Sequence, residues 1–467
     1  MSEVKRIAIV GGGITGLTTA YYLQKKIKEK GLPFEVKLYE ASDRLGGMIH
    51  TERKDGFTIE RGPDSLLARK PSVFRLIEDV GLQDKLVDVA AGKAYVLANE
   101  KLHGIPQGSF MGIPTQVTPF ALSSLFSPMG KLRAAGDLVK SKSKPQEDQS
   151  LGHFFRNRFG DEVVENLIEP LLGGVYSGDL DRLSLMATFP NFYNMEQEHG
   201  SLIKGLRKSR GKQPKNKKKP SVFKTLETGL GSLVDAVVEQ LDEGTIEQGT
   251  SVDHIERKED GYHLMLGTGE VAQADSIVLT TPHYACQRML TQYDFMEPLR
   301  DMPATSVANV AMAFDQSAIE KDVDGTGFLV SRNSDYRITA CTWTHKKWPH
   351  TTPDGKALLR AYVGKPNDQE VVDQSDEEIQ EIVLNDINKI MNITHPPEFT
   401  VITRWRNSRA QYTVGHKERI HNIKQSMRSE LPGVFLAGAS YEGLGVPDCI
   451  DQGEQAVEDV LEFLQQS

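Results

Sequence analysis

Cysteine is scarce in this chain of 467 residues, which has only Cys286, Cys341 and Cys449 and no CxxC pair. Three distant cysteines exclude a disulfide framework and a structural zinc site, and they fit a reducing cytosol. Long apolar runs are also absent, because no stretch approaches the ~20 apolar residues that a membrane-spanning helix needs. The short apolar run at residues 7–10 ends in three glycines, which is not the pattern of a secretory signal. We therefore expect a cytoplasmic protein without a transmembrane segment, and peripheral contact with a membrane stays open.

An excess of positive charge is missing as well. Lys and Arg number 55 against 64 Asp and Glu, which gives a net charge of −9. This balance excludes a nucleic-acid binder that relies on a general positive field, so any anionic ligand must meet a local basic patch. With 39% hydrophobic and 25% charged residues the composition is that of a globular protein. The length allows two or three domains of ~150 residues.

The first forty residues carry the clearest pattern in the chain. Residues 6–10 predict a buried strand, residues 11–16 a tight turn into a helix that stops at Gly31, and residues 35–40 a second strand. The turn has the spacing GxGxxG, in which the first glycine permits the bend, the second lets the backbone approach a pyrophosphate, and the third lets the helix pack on the strand. Glu40 then supplies a carboxylate that can accept both ribose hydroxyls. These elements predict a dinucleotide-binding βαβ unit.

The rest of the chain predicts a helical region, a β-meander and a second mixed domain. Residues 76–199 are expected to be mainly helical, with a helix over 161–172 and loops at Pro106, Pro114 and Pro128, whereas the Lys- and Arg-rich residues 202–220 predict a loop. Residues 249–282 predict a short meander that leads back to the first sheet, residues 305–363 several strands, and residues 376–391 a helix. A strand at 434–437 and a helix over 448–464 then make the dinucleotide domain discontinuous in sequence.

The motifs around Glu40 favour a flavin over a nicotinamide. ExxxRxGG at residues 40–47, directly after GxGxxG, resembles the FAD-binding signature of the flavin amine oxidase and protoporphyrinogen oxidase superfamily, and residues 437–450 resemble its C-terminal FAD motif. The resemblance implies non-covalent FAD as the cofactor. The residues that it implies for the cofactor site are Gly11, Gly12, Gly13, Ile14, Thr15, Gly16, Glu40, Ala41, Arg44, Gly46, Gly47, Met48, Gly62, Pro63, Asp64, Ser65, Val252, Trp405, Gly438, Val446, Pro447 and Asp448.

Patterns and resemblance together predict an α/β protein with a Rossmann-like FAD-binding domain, a mixed α+β substrate domain and an inserted helical region. The expected boundaries are 1–75, 221–283 and 400–467 for the discontinuous FAD-binding domain, 76–200 for the helical region, 201–220 for a Lys-rich loop, and 284–399 for the mixed substrate-binding domain.

Several longer segments narrow the resemblance. Residues 169–179, 305–310, 325–332, 341–345, 358–364 and 446–450 are similar to the soluble Gram-positive branch of the oxygen-dependent protoporphyrinogen oxidase family, and the similarity covers nearly the whole chain apart from residues 204–220. It implies an enzyme of haem biosynthesis that oxidises coproporphyrinogen III to coproporphyrin III by six electrons. O2 would reoxidise the flavin and give H2O2 in each of three rounds. Protoporphyrinogen IX is the alternative substrate.

Oxidation of a porphyrinogen needs a flavin, an apolar slot for the macrocycle and cations for its propionates. The matching segments offer Lys70 as a propionate partner, Arg360 as a second cation, and Val175 and Tyr362 as contacts of the macrocycle. The ordinary alternatives are a solvated side chain for Lys70 and core packing for Val175, Tyr362 and Trp405. Arg360 shares a side with Tyr362 only if the strand is regular. No catalytic side chain is assigned beyond the flavin, and no metal.

Other interpretations stay open. A flavin amine oxidase or a carotenoid desaturase would share the FAD motifs, and Cys449 is close enough to them to suggest a covalent flavin. A non-enzymatic carrier would hand porphyrin to a chelatase, with which an oxidase could also make transient contact, but a pure carrier has no need of a redox cofactor. The basic residues 204–219 suggest acidic lipids or a partner enzyme, with a solvated loop as the alternative. Residues 196–199, His345 and His350 lack metal-ligand spacing.

Overall fold

The computed structural model describes residues 4–68, 70–90, 92–144, 147–209 and 221–466, which form two compact units. Unit 1 contains the described residues of Met1–Val89, Ser221–Pro303 and Glu418–Ser467. Unit 2 contains those of Ala90–Pro220 and Ala304–Lys417.

The strands are numbered in chain order. They are β1 (Lys5–Val10), β2 (Phe34–Glu40), β3 (Thr51–Lys54), β4 (Phe57–Glu60), β5 (Leu66–Leu67), β6 (Leu86–Asp88), β7 (Ala94–Ala98), β8 (Lys101–Gly104), β9 (Ser109–Phe110), β10 (Ile113–Pro114), β11 (Phe223–Leu226), β12 (Ile246–Gln248), β13 (Val252–Lys258), β14 (Gly261–Leu266), β15 (Val271–Ala274), β16 (Ser276–Leu279), β17 (Ala304–Asp315), β18 (Gly327–Val330), β19 (Ile338–Trp343), β20 (Lys356–Val363), β21 (Phe399–Ala410) and β22 (Val434–Leu436).

The α-helices are α1 (Ile14–Lys30), α2 (Pro71–Asp79), α3 (Val117–Leu122), α4 (Pro128–Ala135), α5 (Leu151–Phe159), α6 (Asp161–Val163), α7 (Glu169–Tyr176), α8 (Leu185–Thr188), α9 (Pro190–His199), α10 (Leu202–Ser209), α11 (Gly231–Glu239), α12 (His283–Met289), α13 (Glu297–Arg300), α14 (Thr344–Lys347), α15 (Asp376–Met391), α16 (His416–Glu430) and α17 (Val446–Gln466). A π-helical turn, Val164–Ile168, separates α6 from α7. None of the helices in these described ranges is long and apolar enough to cross a membrane.

Unit 1 is built on a parallel five-stranded sheet with the order β12-β2-β1-β16-β22. β1 lies at its centre, and its residues 7–10 are all buried, as expected of a parallel strand covered on both faces. α1 follows β1 directly and ends at Gly31, which adopts a left-handed conformation with φ +61°. α17 packs against α1, and both contribute to the core of this sheet.

The predicted fold class is confirmed, with small differences at the element ends. The β-meander contains β15, which the sequence did not predict, and β16 after it joins the parallel sheet. α17 begins at Val446 rather than at residue 448. Pro447 is accommodated there because the first turn of a helix has no internal acceptor for its N–H groups.

Unit 2 is built on a mixed seven-stranded sheet with the order β21-β17-β20-β19-β18-β7-β8, in which only the pair of β18 and β7 is parallel. α15 packs on one face of this sheet through Ile379, Val383 and Ile387. It spans the predicted residues 376–391, and Ser375 and Glu378 form a capping box at its start.

Two stretches differ from the predicted pattern. Residues 76–199 contain the strands β6 to β10 between α2 and α3. The helix expected over 161–172 is interrupted by the π-helical turn and continues to Tyr176. Residues 202–209, expected to be part of a loop, form α10 with Leu202, Ile203 and Leu206 buried. The amphipathic helix was not predicted because the basic residues between these apolar positions favoured a loop. Residues 210–220 lie outside the described residues.

The unit boundaries also differ from the predicted domain boundaries. Three of them fall after residues 89, 303 and 417 instead of at 75, 283 and 400, whereas the boundary after residue 220 coincides with a predicted one. The expected helical region and the expected mixed domain share unit 2, because β7 pairs with β18, with Val96 opposite Leu329. A pairing between residues so far apart in sequence leaves no local signal.

Candidate dinucleotide and substrate sites

In the GxGxxG turn between β1 and α1, there is room for a side chain at Gly13 but not at Gly11 or Gly16. A Cβ built on Gly11, which has φ +109°, would lie 2.7 Å from Thr280 Oγ1, and one on Gly16 would lie 2.0 Å from the carbonyl oxygen of Gly11. A Cβ on Gly13 would meet one backbone atom within 4 Å, at 3.9 Å. Gly13 also caps α1 without a side-chain hydrogen bond. Packing therefore requires Gly11 and Gly16, whereas bare backbone and helix amides at Gly13 fit a phosphate.

Glu40 ends β2 beside this turn. Its Oε2 accepts a hydrogen bond from the backbone N–H of Gly12 at 2.6 Å, and its Oε1 accepts two from the N–H and hydroxyl of Ser42, at 2.8 and 2.7 Å. These donors orient the carboxylate. Because a carboxylate oxygen has about two acceptor positions, Oε2 keeps capacity for a ribose hydroxyl. The N–H of Thr250 donates to the carbonyl of Glu40 at 2.9 Å, so Val252, buried two residues further on, lies close to this end of the site.

Arg44 holds the second glycine loop against the first. Its guanidinium donates to the carbonyl of Ile49 at 2.9 Å and to that of Gly47, and the N–H of Gly46 donates to the carbonyl of Gly12 at 2.8 Å. Burial lowers the pKa of Arg44, but arginine stays charged at neutral pH. The structure thus gives Arg44 a positioning role, because its side chain is used to shape the loop.

The other predicted cofactor residues of unit 1 differ in burial. Ile14 and Thr15 are buried in the first turn of α1, Ala41 is exposed, Met48 is half-buried, and between β4 and β5 Gly62 is buried while Pro63, Asp64 and Ser65 are half-buried. The hydroxyl of Ser65 donates to Asp64 Oδ1 at 2.9 Å.

Gly438 follows β22 and lies against the loop after β16. It has φ +115°, and a Cβ on it would lie 3.3 Å from the carbonyl oxygen of Thr280. Its N–H donates at 2.9 Å to Oε1 of Gln452, on α17. Sequence reasoning missed Gln452, although it stands four residues after Asp448, one helical turn along α17. Gln452 thus fixes the predicted C-terminal motif to the helix that follows it.

The start of α17 carries the other C-terminal candidates. Val446 is half-buried, Pro447 is buried, and Asp448 Oδ2 accepts the N–H of Gly445 at 3.2 Å. Lys70, the predicted propionate partner, points at this helix, because its Nζ lies 2.8 Å from Asp448 Oδ1 and 2.9 Å from Asp451 Oδ2. Burial disfavours the charge of Lys70, but these two carboxylates raise its pKa above the ordinary value.

Lys70 lines an open cleft on α17 whose charged residues are Lys70, Lys424, Glu442, Asp448, Asp451 and Asp459. Carboxylates outnumber the lysines there, so in this arrangement a substrate carboxylate has to compete with Asp448 and Asp451 for the ammonium group.

Three of the unit 2 candidates share one face of the seven-stranded sheet. Tyr362 is opposite Asn309, and Trp405 is opposite Val307, two residues before Asn309 on β17. Arg360 is two residues before Tyr362, and its Nη2 donates to the hydroxyl of Tyr362 at 2.7 Å. Since alternate residues of a strand share a face, these side chains lie opposite the face that α15 covers. The strand is regular here, which answers the question that the sequence left open.

Burial separates these residues. Arg360 is fully buried, Tyr362 and Trp405 are half-buried, and Asn309, which sequence reasoning did not single out, is 2% exposed. Its only sequence signal was a polar residue inside an apolar strand. A buried arginine hydrogen-bonded to a half-buried tyrosine gives this face a cation and an aromatic ring side by side.

Val175 lies near the end of α7 and is 48% exposed, which excludes core packing for this residue. The next carbonyl, that of Tyr176, accepts a hydrogen bond from Gln411 Nε2 at 2.8 Å, so the end of α7 is fixed beside the end of β21. At the start of α7, burial raises the pKa of Glu169 to about 7 despite its 2.9 Å ion pair with Arg332. Sequence reasoning missed Glu169 because a lone glutamate has no distinguishing pattern.

The residues considered for metal binding have other roles. Glu196 is buried and ion-paired with Arg158, and Nδ1 of His345 lies 3.3 Å from the carbonyl oxygen of Leu358. Across the part of the chain that the structure describes, no three His, Cys, Asp or Glu side chains could hold a metal ion together.

The parallel sheet, the open glycine turn and the carboxylate beside it are the elements typical of a dinucleotide-binding fold. The sequence model of the flavin-containing amine oxidoreductases matches residues 14–461, and the chain belongs to this family. The family brings a flavin as cofactor. The turn at Gly13 fits a flavin that carries a dinucleotide, because it leaves room for a diphosphate that a side chain would fill.

Comparison with individual proteins gives similar relatives over the full length. The chain is 52% identical over 463 residues to coproporphyrinogen III oxidase of Bacillus subtilis, covering 98% of each chain. It is 44% identical over 465 residues to coproporphyrinogen III oxidase of Staphylococcus aureus, covering 98% of this chain and 99% of the other. A crystal structure from Exiguobacterium sp. 255-15, provisionally named a protoporphyrinogen oxidase, is 40% identical with a TM-score of 0.89 and covers 98% and 99% of the two chains.

Proposed function

We propose that this protein is an FAD-dependent oxidase of haem biosynthesis that converts coproporphyrinogen III into coproporphyrin III. Each substrate molecule loses six electrons and six protons, three O2 are reduced, and three H2O2 are released. The observation that carries the proposal is the 52% identity to a relative named coproporphyrinogen III oxidase over 98% of both chains. The cradle at Gly13 supports the cofactor part of it.

FAD, when bound, supplies the acceptor for hydride from the bridging carbons of the macrocycle. The backbone at Gly13 and the amides of α1 would hold its diphosphate, Glu40 its adenosine ribose, and Val252 its adenine. Gly438 and the first turn of α17, from Val446 to Asp448, would contact the flavin. Arg44 keeps the second glycine loop in place for this cofactor.

The substrate side of the proposal uses the sheet face of unit 2 that lies opposite α15. Arg360 supplies a buried cation, and Tyr362 supplies an aromatic edge and a hydroxyl held by Arg360. Val175 adds apolar surface for a flat ring, and Trp405 stays a proposed contact of the cofactor. Lys70 is the proposed partner of a propionate, which would replace Asp448 or Asp451 as the ion-pair partner of its ammonium group. We also propose a transient contact with a chelatase that would take up the porphyrin.

The test is an aerobic assay of porphyrin fluorescence with coproporphyrinogen III and protoporphyrinogen IX side by side, with H2O2 measured. We expect preference for coproporphyrinogen III and about three H2O2 per porphyrin, set by the stoichiometry. A preference for protoporphyrinogen IX would favour the second candidate, which the name of the Exiguobacterium relative supports. If neither substrate reacts faster than in a protein-free control, the proposal fails, and amines are tested next.

We expect acid precipitation to release the flavin. Cys449, whose position suggests covalent attachment, is 6% exposed and belongs to the apolar core of unit 1, so its thiol is not presented for a bond to a flavin. After precipitation with trichloroacetic acid, absorbance near 450 nm should be found in the supernatant, with a yellow pellet contradicting the prediction. Cys449→Ser should release the same amount.

We expect Lys70→Glu to weaken the binding of coproporphyrinogen III more than that of protoporphyrinogen IX, because the former carries four carboxylates and the latter two. A partly exposed charge is worth up to ~1 kcal/mol, so KM should rise by about fivefold for the former. Arg75→Glu is the matched control, since Arg75 is also on the α2 side of α17 and pairs with Glu454 at 2.6 Å. Unchanged KM values in Lys70→Glu would remove Lys70 from the substrate site.

Peripheral contact with an acidic membrane surface is also part of the proposal. Five large apolar side chains of one stretch of unit 2 are between 62% and 88% exposed: Val117, Leu122, Met129, Leu132 and Val139. The same stretch carries Lys131, Arg133 and Lys140, and its one carboxylate, Asp137, is buried against Arg158. Exposed apolar groups among cations, without an exposed carboxylate, favour binding to anionic lipid.

The double variant Leu122→Asp, Leu132→Asp should therefore lose most of its co-sedimentation with vesicles containing phosphatidylglycerol. Phosphatidylcholine vesicles should bind neither variant nor parent. The control is Val271→Asp, which changes a 55% exposed valine of unit 1. Equal sedimentation of all three proteins would exclude this surface.

A further inference from the structure

His283 lies where two loops leave the carboxyl edge of the parallel sheet in unit 1. It opens α12, four residues after β16 ends, and it is 2% exposed. The loop after β22 runs from residue 437 to residue 445 and contains Gly438 and Ser440, which is 8% exposed. The close approach of Gly438 to Thr280 brings the two loops together. Neither the family signature discussed above nor the proposed mechanism assigns a role to His283.

The hydrogen bonds of His283 determine its tautomer. Nε2 lies 3.0 Å from the carbonyl oxygen of Met302, and Nδ1 lies 3.3 Å from Ser440 Oγ. A carbonyl oxygen can only accept, so Nε2 carries the proton and Nδ1 is the acceptor for the hydroxyl of Ser440. The same hydroxyl oxygen accepts the backbone N–H of His283 at 3.1 Å. Ser440 is therefore both donor and acceptor toward one residue, and the neutral ring joins three segments.

This assignment of donors and acceptors is that of a neutral imidazole. Protonation places a second N–H on Nδ1, opposite a hydroxyl that is already donating to it, so the Ser440 bond has to break or reverse. Burial lowers the pKa of His283, in agreement with this geometry, while the bond to Met302 acts in the opposite sense. A group whose pKa is lowered on folding stabilises the fold above its unfolded value of about 6.5, and that contribution is lost as the pH falls.

The other titratable and charged groups near His283 lie on α12, on the loop after β22, and on the two elements packed against α12. Tyr284 packs edge-on at 5.5 Å, the hydroxyl of Tyr441 donates to the carbonyl of Thr281 at 3.3 Å, and burial raises the pKa of Cys286 to about 12. The elements packed on α12 are α13 and β13. Their charged residues are used elsewhere or exposed: Glu297 pairs with Arg300 at 2.6 Å, Glu256 pairs with Lys258 at 2.6 Å, and Asp253 and Arg257 are exposed, while His254 is half-buried.

We propose that His283 is a positioning residue of the flavin site, whose neutral ring holds the Gly438–Ser440 loop in its cofactor-binding position and releases it on protonation. The inference rests on the proposed function in that it takes this loop as part of the flavin site. Loss of the bond between the ring and Ser440 removes one of the contacts that hold the loop carrying Gly438, so we expect acid to weaken flavin binding before the sheet itself unfolds. Because His283 is 2% exposed, it would act on the flavin site through this loop.

The test measures free flavin by fluorescence of an ultrafiltrate while holoenzyme is taken from pH 7.5 to pH 5. The parent should release flavin as the pH falls below the ordinary histidine value of about 6.5. His283→Gln keeps a donor for Met302 but cannot be protonated. It should bind flavin roughly fivefold more weakly at pH 7.5, the loss expected for one hydrogen bond, with no pH dependence in this range. Ser440→Thr keeps the hydroxyl and should release flavin with the same pH dependence as the parent, whereas Ser440→Ala should lose this pH dependence.

The matched control is His345→Gln. His345 is a buried histidine of unit 2 whose pKa burial also lowers, so it contributes to acid unfolding but lies outside the flavin loops. It should change the circular dichroism of the acid-treated protein and leave flavin release as in the parent. A parent-like release profile in His283→Gln would overturn the inference. Failure of the parent to bind flavin at pH 7.5 would instead overturn the proposed function, so the two failures are distinguishable.

Discussion

Gly13→Val should strongly weaken the binding of flavin while the apoprotein stays folded. A Cβ at this position meets one atom of the protein, at 3.9 Å, so the side chain occupies the space proposed for the diphosphate. Forcing a ligand into such an overpacked site costs about 1–3 kcal/mol, which corresponds to roughly 5- to 150-fold weaker binding. The measurement is a titration of apoprotein with FAD, in which quenching of the flavin fluorescence reports binding.

Gly16→Ala provides the matched comparison. Its Cβ would lie 2.0 Å from the carbonyl oxygen of Gly11, so the backbone of the turn itself has to move and the apoprotein should lose stability. The urea midpoint of the apoprotein should therefore fall in Gly16→Ala and stay near the parent value in Gly13→Val. If Gly13→Val binds FAD as tightly as the parent, the diphosphate does not lie at this turn.

Arg158→Met should be among the most destabilising substitutions in unit 2. The side chain of Arg158 is 1% exposed, and its guanidinium pairs with Asp137 at 3.3 Å and with Glu196, both of which are fully buried. It also donates to the carbonyl oxygen of Ser141 at 3.1 Å. Removing one side of a buried ion pair leaves uncompensated carboxylates and costs about 3–5 kcal/mol. Urea unfolding at pH 7, followed by circular dichroism, measures the loss.

Arg156→Met is the control two residues away. Arg156 pairs with Asp181 at 3.2 Å and with Glu165 at 3.1 Å, but 23% of its side chain is exposed, so its loss should cost much less. A loss in Arg158→Met no larger than that in Arg156→Met would show that the buried cluster adjusts without its cation.

The same cluster should contribute to acid sensitivity. Burial alone would raise the pKa of Glu196, but hydrogen bonds from Ser143 and Arg158 outweigh it and hold the pKa below the ordinary value. Its stabilisation is then complete above pH ~4.5 and is lost as the pH falls further. Glu196→Gln should therefore flatten the fall of the urea midpoint with decreasing pH in this range.

The parts of the fold that the sequence predicted are those with local signals. β1 and α1 follow from an apolar run, a glycine turn and a helical repeat within thirty residues, and α15 follows from its capping serine and its apolar spacing. β7 and β8 were missed because they are short and gain their stability from β18, more than two hundred residues later. α10 was missed because its lysines resembled a solvated loop.

The site divides along the same line. The roles of Gly11 and Gly16 could be predicted because the GxGxxG spacing between a strand and a helix is a local pattern in the sequence. The partners of Lys70 could not be foreseen, since Asp451 is 381 residues away, and a lysine predicted for a substrate carboxylate is in contact with two carboxylates of the protein. Gln452, Asn309 and His283 likewise gain their significance only from neighbours that folding brings to them.

The position of α17 has a consequence for synthesis. α1 carries the glycine turn from the start of translation, but the helix that packs against it begins at Val446, and the neighbouring strand β16 is 269 residues behind β1. At roughly 5–20 residues per second, a ribosome exposes the turn for tens of seconds before that partner exists. A chain that stops before α17 keeps its glycines and lacks Gln452 and the start of α17. Capture of the cofactor would then distinguish finished chains from prematurely terminated ones.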